Sequence, residues 1–446
     1  MHLLYLADHE VWPPDSGIKQ RLYHLAMGLA RRHRVSLVAM SWGDGDDVTA
    51  FPGQERFAHV LAVPYATCRF MRERSFDPWA PRAVRLWRSM ESRVPVSVRR
   101  FESPVLVETL AAMCHQDPAD VVWATRSAFA EAAWRAGYRR IVLDLPDMES
   151  EILARWTAQE ARRRALPLRW LELARLRAYE RALPSRFPVV TVCKEEERRY
   201  FAPEDASRIL VVPNGVPVLP RANPADEEPD TLLFVGTLSW PPNEDAVRFL
   251  HDAILPRLRA RRPGVRMLVI GRNPSAELRA LADGDRLRID DTVDDLTEAY
   301  ARSAVVVVPI RQGSGTRLKT LEALARGKAV VSTPVGSEGL ELRPGIDLEE
   351  VADADAFAAA CAELLADPAR RRRLGDAGRD RVLARNEWRH SVAAAERAVA
   401  MCATERVGET VATPRRDGAA RTPQHAARTP TPVVARAQRA GSRGEG

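Results

Sequence analysis

The segment GSGTRLKTLEALARGKAVV, residues 313–331, sets two glycines, a lysine and a glutamate close together. Gly313 and Gly315 let backbone N–H groups approach a ligand with no Cβ in the way, and a helix starting behind them offers its positive end to an anion. A P-loop is excluded, because the residue before Lys319 is Leu318 where that loop needs glycine. Lys319 and Glu322 stand three apart, so they share one face of a helix read over 316–325. A cation for a diphosphate beside a carboxylate for a ribose diol suits a nucleotide sugar. On these residues alone, an ordinary surface ion pair is the alternative.

Further candidates recur at strand ends. WPPDSGIKQR follows the first strand and offers Gly17, Lys19 and Arg21. GTLSWPPNEDA offers Gly236 for close backbone approach, with Asn243 read as a helix N-cap after two prolines. VIGRNP offers Arg272 as a diphosphate cation. His9 follows the first strand and is a candidate for the acceptor side, and Asp144 and Glu149 in LDLPDMESE could meet acceptor hydroxyls or serve as caps. The DGD triplets at 44–46 and 283–285, in stretches of loop composition, invite a metal-binding DxD reading, whereas five scattered cysteines make no CxxC pair, so no zinc site or disulfide framework is expected.

The elements that must position these residues follow from pattern. The chain has 446 residues, 46% hydrophobic and 28% charged, enough for two or three domains with sizeable cores. Short β-rich runs alternate with amphipathic helical stretches, the signature of parallel sheets built from βαβ units. HLLYLA, RVSLVAM, DVVWAT, RIVLDL, PVVTVC and RILVVPNG read as strands of a first doubly wound domain, with the helix IKQRLYHLAMGLARRH after the first strand. After VPVLPRANPADEEPD, which has neither periodicity, TLLFVGTL, VRMLVIG, RLRIDD, SAVVVVPI and KAVVSTP restart the pattern, with helices beginning near Asn243, Ser275, Asp295 and Thr316. The expected organisation is a domain over 1–217, a linker over 218–230, a second domain over 231–385, a helix over 386–404 crossing back to the first domain, and a disordered basic tail over 405–446. In such sheets ligands bind outside the carboxyl ends of the strands, where the glycine loop falls.

The formal charge is +7, and from Val407 onward seven arginines against Glu409, Asp417 and Glu445 leave +4 in the tail. No aromatics interleave those arginines, so nucleic acid is not an expected partner. Residues 154–187 carry nine arginines and a Leu/Trp stripe. Two helices packed on the sheet, or a stretch lying on an anionic membrane, would both explain them. With no signal peptide and no apolar run of membrane-spanning length, a cytoplasmic protein is expected, peripheral at the inner face of the membrane on the second of those readings.

The run GSGTRLKTLEALARGKAVVSTPVGSEGL resembles the donor-site segment of the retaining glycosyltransferases of family 4, in a branch like those of polysaccharide loci. FVGTLSWPPNEDAVRFL, VIGRNP, TVDDLTEAYARSAVVVVPI and VVPNGV extend the resemblance, as do PPDSGIKQRLYHLAMGLARRHRVSLV, LDLPDMESE and CKEEERRYF in the first half, so that it covers most of residues 1–400. It implies the GT-B fold, two facing Rossmann-like domains with a cleft between them. It also implies a UDP- or GDP-sugar as co-substrate with no tightly bound cofactor and no essential metal at the DGD triplets, and a glycan, lipid-linked or small-molecule acceptor. By the resemblance Glu322 holds the ribose hydroxyls, Lys319 the diphosphate, and Gly313, Ser314, Gly315 and Thr316 the phosphates or sugar. The family's paired-glutamate signature would put its first glutamate at position 314, where this chain has Ser314. A sugar-nucleotide epimerase of the same fold and a noncatalytic nucleotide-sugar- or glycan-binding partner are the rival readings.

Overall fold

The computed structural model describes residues 1–42, 50–72, 92, 94–160, 167–284, 286–291, 295–313, 315–405 and 433–435. Its first sheet orders eight strands as β14-β3-β2-β1-β4-β5-β6-β7. These are β1 His2–Ala7, β2 Arg34–Ser41, β3 Phe57–Pro64, β4 Val121–Thr125, β5 Ile141–Leu145, β6 Val189–Val192, β7 Ile209–Val211 and, from the tail, β14 Val433–Ala435. All pairs are parallel except β14 on β3. β3 escaped the sequence reading because FAHVLAVP interrupts its apolar residues with His59. The rest of the tail lies outside the described residues.

The second sheet orders β10-β9-β8-β11-β12-β13, all parallel: β8 Thr231–Val235, β9 Arg266–Ile270, β10 Leu287–Asp290, β11 Val305–Val308, β12 Ala329–Ser332 and β13 Glu349–Glu350. Valines fill β11 and every residue of it is buried, as a strand covered by helices on both faces requires. Both sheets reverse strand order beside their first strand, between β1 and β4 and between β8 and β11. A crevice opens at each such switch point, outside the carboxyl ends of the strands.

Five helices matter for the site: α1 Gly17–Leu29, α2 Glu149–Glu160, α3 Pro167–Arg181, α4 Leu318–Ala325 and α5 Trp388–Thr404. α1 buries Leu22, Leu25 and Leu29 in a cluster that also holds Ala394, Ala395, Ala398 and Val399 of α5, so the last helix is part of the first domain's core. Gly28 permits that contact, since a Cβ there would overlap the Val392 side chain. Helices α2 and α3 carry the arginine-rich stretch, and Leu176 and Tyr179 of α3 join the first domain's core, while Trp170 and Leu171 stay exposed. None of the helices among the described residues is long and apolar enough to cross a membrane.

Candidate functional site

The loops after β8, β9 and β11 converge on α4. Gly236 follows β8, and its N–H donates to Ile270 O at 3.0 Å. Gly313 and Gly315 adopt φ of +104° and +72°, left-handed conformations that glycine takes without strain. α4 begins at Leu318, two residues later than the sequence suggested, because Thr316 and the N-cap Arg317 remain in the loop. Lys319 is thus the second residue of the helix, next to its positive end. Leu318 is buried in the second domain's core, as its place beside the charged face implied.

Lys319 is half-buried and pinned: Nζ donates to Asn243 Oδ1 at 2.6 Å and lies 4.3 Å from the centre of the Phe234 ring. Asn243 is not the N-cap, which is Trp240; its Nδ2 instead donates to Thr237 O at 2.8 Å, so it ties Lys319 to the glycine loop after β8. Burial, with Arg317 adding its charge and Glu322 opposing, lowers the Lys319 ammonium to about 7. Burial likewise raises the Glu322 carboxyl, against Gln20, Arg326 and Lys319, which favour its charged form. Burial thus shifts both Lys319 and Glu322 toward their neutral forms.

The first domain supplies the opposite wall through α1 and the loop before it. Gln20 Nε2 donates to Glu322 Oε1 at 2.8 Å, and Gly17 packs beside Leu318, where a Cβ would make an ordinary contact at 3.4 Å from Leu318 Cδ1. Arg272 donates to the Asp15 carboxylate and, at 2.7 Å, to the Asp15 carbonyl. Asn214 Nδ2 donates to Thr316 Oγ1 at 2.8 Å. Arg155 of α2 donates to Gly313 O and pairs with Glu338 at 3.0 Å, and Lys194 meets the same glutamate at 3.0 Å. Gly17, Gly236, Arg272, Gly313, Gly315, Thr316, Lys319 and Glu322 therefore surround one cleft. Ser314 lies outside the described residues, as do the DGD triplet at 44–46 and Asp285 of the second.

The acceptor candidates divide. His9 Nδ1 lies 3.2 Å from the wholly buried Asp8 carboxylate, and Arg126 joins Asp8 to Glu149, at 3.1 Å from the latter. Burial would raise the Asp8 carboxyl, but Arg126 and His9 hold it well below the usual carboxylate range. Asp144, by contrast, is beneath the surface. It accepts from Arg21 at 2.6 and 3.0 Å and from Thr191 at 2.7 Å, with no exposed area for a substrate. The carboxylate that reaches the cleft from that loop is Asp147, against which a Cβ on Gly315 would clash; burial raises it to about 6. In sequence Asp144 is marked by its strand-end position, whereas the turn of LDLPD that brings Asp147 against Gly315 has no local signature.

Two facing parallel sheets with crevices opposed are shared with solved structures. Sucrose-phosphate synthase from Thermosynechococcus elongatus superposes with a TM-score of 0.65 over 89% of this chain and 98% of that one, at 19% identity. Anabaena HepE in complex with UDP and glucose gives 0.62 over 90% and 99%, at 14% identity. The fold is GT-B. Residues 229–367, the span holding the glycine loop and α4, match the model of the glycosyl transferases group 1. A phosphatidyl-myo-inositol mannosyltransferase of Mycolicibacterium smegmatis is 35% identical over 204 residues, which cover 43% of this chain and 51% of that protein. The chain thus spans about half the length of this curated relative.

One feature of the GT-B cleft depends on two adjacent glycines. A Cβ on Gly271, after β9, would fall inside the van der Waals radius of the Gly236 carbonyl oxygen. Gly271→Ala must push the ends of β8 and β9 apart, an overpacking that costs about 1–3 kcal/mol. Thermal unfolding should show this loss. Gly264→Ala, where the nearest atom is 3.9 Å away, should leave the midpoint near the parent's.

Proposed function

We propose that this chain is a retaining glycosyltransferase that moves a hexose-type sugar from a UDP- or GDP-sugar to an acceptor hydroxyl, in cell-surface polysaccharide or glycoconjugate synthesis. The observation that carries the reading is the convergence of Gly236, Gly313, Gly315, Thr316, Lys319 and Glu322 at the switch point of the second sheet, opposite α1 of the first. The match of residues 229–367 to glycosyl transferases group 1 and the partial likeness to a mannosyltransferase support it. Retention of anomeric configuration rests on the resemblance of the donor-site motifs to family 4.

In that reaction the bond from the anomeric carbon to the diphosphate breaks, the acceptor oxygen bonds that carbon on the same face, and the acceptor's proton leaves with the departing diphosphate. Lys319, Arg272 and the N–H groups of the glycine loop would stabilise the charge that grows on the leaving group. Glu322 would orient the ribose, and contact between the domains would exclude water, whose attack is the competing reaction. The side of the first domain lined by His9, Arg126, Asp147 and Glu149 would receive the acceptor.

The test is a thermal-unfolding screen of nucleotide sugars. A donor at 100 times its Kd adds about 2.7 kcal/mol of stability to the native state, so one or a few should raise the midpoint clearly. A flat response across UDP- and GDP-sugars would sink the reading. For the donor that responds, product NMR should show a glycosidic linkage with the donor's anomeric configuration; an inverted product would remove the retaining assignment, and an epimerised nucleotide sugar would replace transfer by epimerisation.

A further inference from the structure

The carboxylate of Asp15 occupies an unusual place. Arg272, from the second domain, donates to Asp15 Oδ2 through Nη1 and to the Asp15 carbonyl through Nη2 at 2.7 Å. Lys19 Nζ, from the first domain, lies 3.7 Å from Asp15 Oδ1, with Glu10 on its other side at 3.9 Å. Two cations carried by opposite walls of the cleft thus converge on one anion. Two residues beyond Asp15, α1 starts at Gly17, with no acidic residue in its first turn and no side-chain cap from Ser16, so its positive end adds to the same field.

We infer that Asp15 is an internal stand-in for the donor's diphosphate: it holds Arg272 and Lys19 until an incoming diphosphate takes both from it. Naming the ligand rests on the nucleotide-sugar reading above; the anion subsite itself rests on the convergence of Arg272 and Lys19. Asp15 meets each cation through a single carboxylate oxygen, with Glu10 sharing Lys19, whereas a diphosphate carries the charge and oxygen atoms to meet both, bidentately at the guanidinium. Asp15 therefore does two things. It keeps Arg272 oriented toward the first domain, and it sets a threshold, since any molecule in which Asp15 holds Arg272 is not competent to bind the donor. Gln20, one turn further along α1, meets Glu322 on the same side of the cleft, so the exchange at Arg272 occurs while the ribose-side contact can persist.

Removing the carboxylate should tighten anion binding. Titration calorimetry of inorganic pyrophosphate, UDP-glucose and GDP-mannose into the full chain and into Asp15→Asn is expected to show pyrophosphate binding about 3- to 10-fold more tightly in the variant, the factor by which a largely Asp15-held population would weaken apparent affinity. The gain should vanish when Arg272→Ala is also present, because the two changes act on one contact. Asp15→Ser should move affinity in the same direction, which guards against a local effect of the asparagine side chain. Unchanged or weaker pyrophosphate binding in both Asp15 variants, alongside nucleotide-sugar binding by the parent, would overturn the inference and leave the proposed function standing. Tightened pyrophosphate binding with no response to any nucleotide sugar would keep the inference and sink the proposed function.

Discussion

Lys319→Ala is expected to lower sugar transfer by about 10²- to 10³-fold in kcat, the loss seen when one preorganised donor to a developing negative charge is removed. The size follows from how the ammonium is held. Asn243 and the Phe234 ring fix it beside the start of α4, so it needs no rearrangement when the diphosphate departs. Its place in a poorly solvated wall makes the interaction stronger than a surface lysine's would be. Glu322→Ala should act differently, raising KM for the donor more than it lowers kcat, because a ribose contact is the same in the ground and transition states. Equal, full activity in both variants would remove α4 from the donor site.

The lowered Lys319 value adds a pH signature. Between about 7 and its ordinary 10.5 the folded lysine is neutral while the unfolded chain keeps its proton. Stability from this group therefore rises with pH through that window and is lowest below it. A bound diphosphate favours the charged form, so donor binding should take up a proton near neutral pH and weaken as pH rises above about 7. Calorimetry in buffers of different ionisation enthalpy measures that uptake, and Lys319→Met should abolish it.

The reach of sequence reasoning here has a physical pattern. Alternating valine-rich runs and amphipathic helices made two parallel sheets legible, and the glycines at the ends of β8 and β11 marked the crevice, because backbone constraints are written locally. What stayed hidden was cross-domain pairing. Asp15 with Arg272, Gln20 with Glu322 and Asn214 with Thr316 join residues far apart in the chain, and no local period announces such a contact. Asn243 shows the same limit within one domain: a residue that pattern assigns to a helix cap is instead the support of Lys319. Asp144 shows it for burial, since a carboxylate at a strand end looks identical in sequence whether it faces solvent or an arginine.

That carboxylate carries the largest expected effect on stability. Asp144→Ala should destabilise the first domain by about 3–5 kcal/mol, because breaking a buried ion pair leaves the surviving charge unpaired. The survivor is Arg21, 1% exposed, with Asp144 taking two of its N–H groups and Val212 O and Asn214 Oδ1 taking Nη1, each at 2.9 Å. Those two carbonyl oxygens satisfy hydrogen bonds but not the positive charge. Asn214 in turn donates to Thr316, so loosening Arg21 should also be felt at the loop before α4. The double change Arg21→Met with Asp144→Leu should recover much of the loss, since an apolar pair of similar volume removes the charge that the single variant strands. Thermal unfolding of the three proteins decides between this role and an acceptor contact. A catalytic carboxylate would leave the unfolding midpoint near the parent's and raise KM for the acceptor, whereas the buried pair predicts a large fall in midpoint that the double variant reverses.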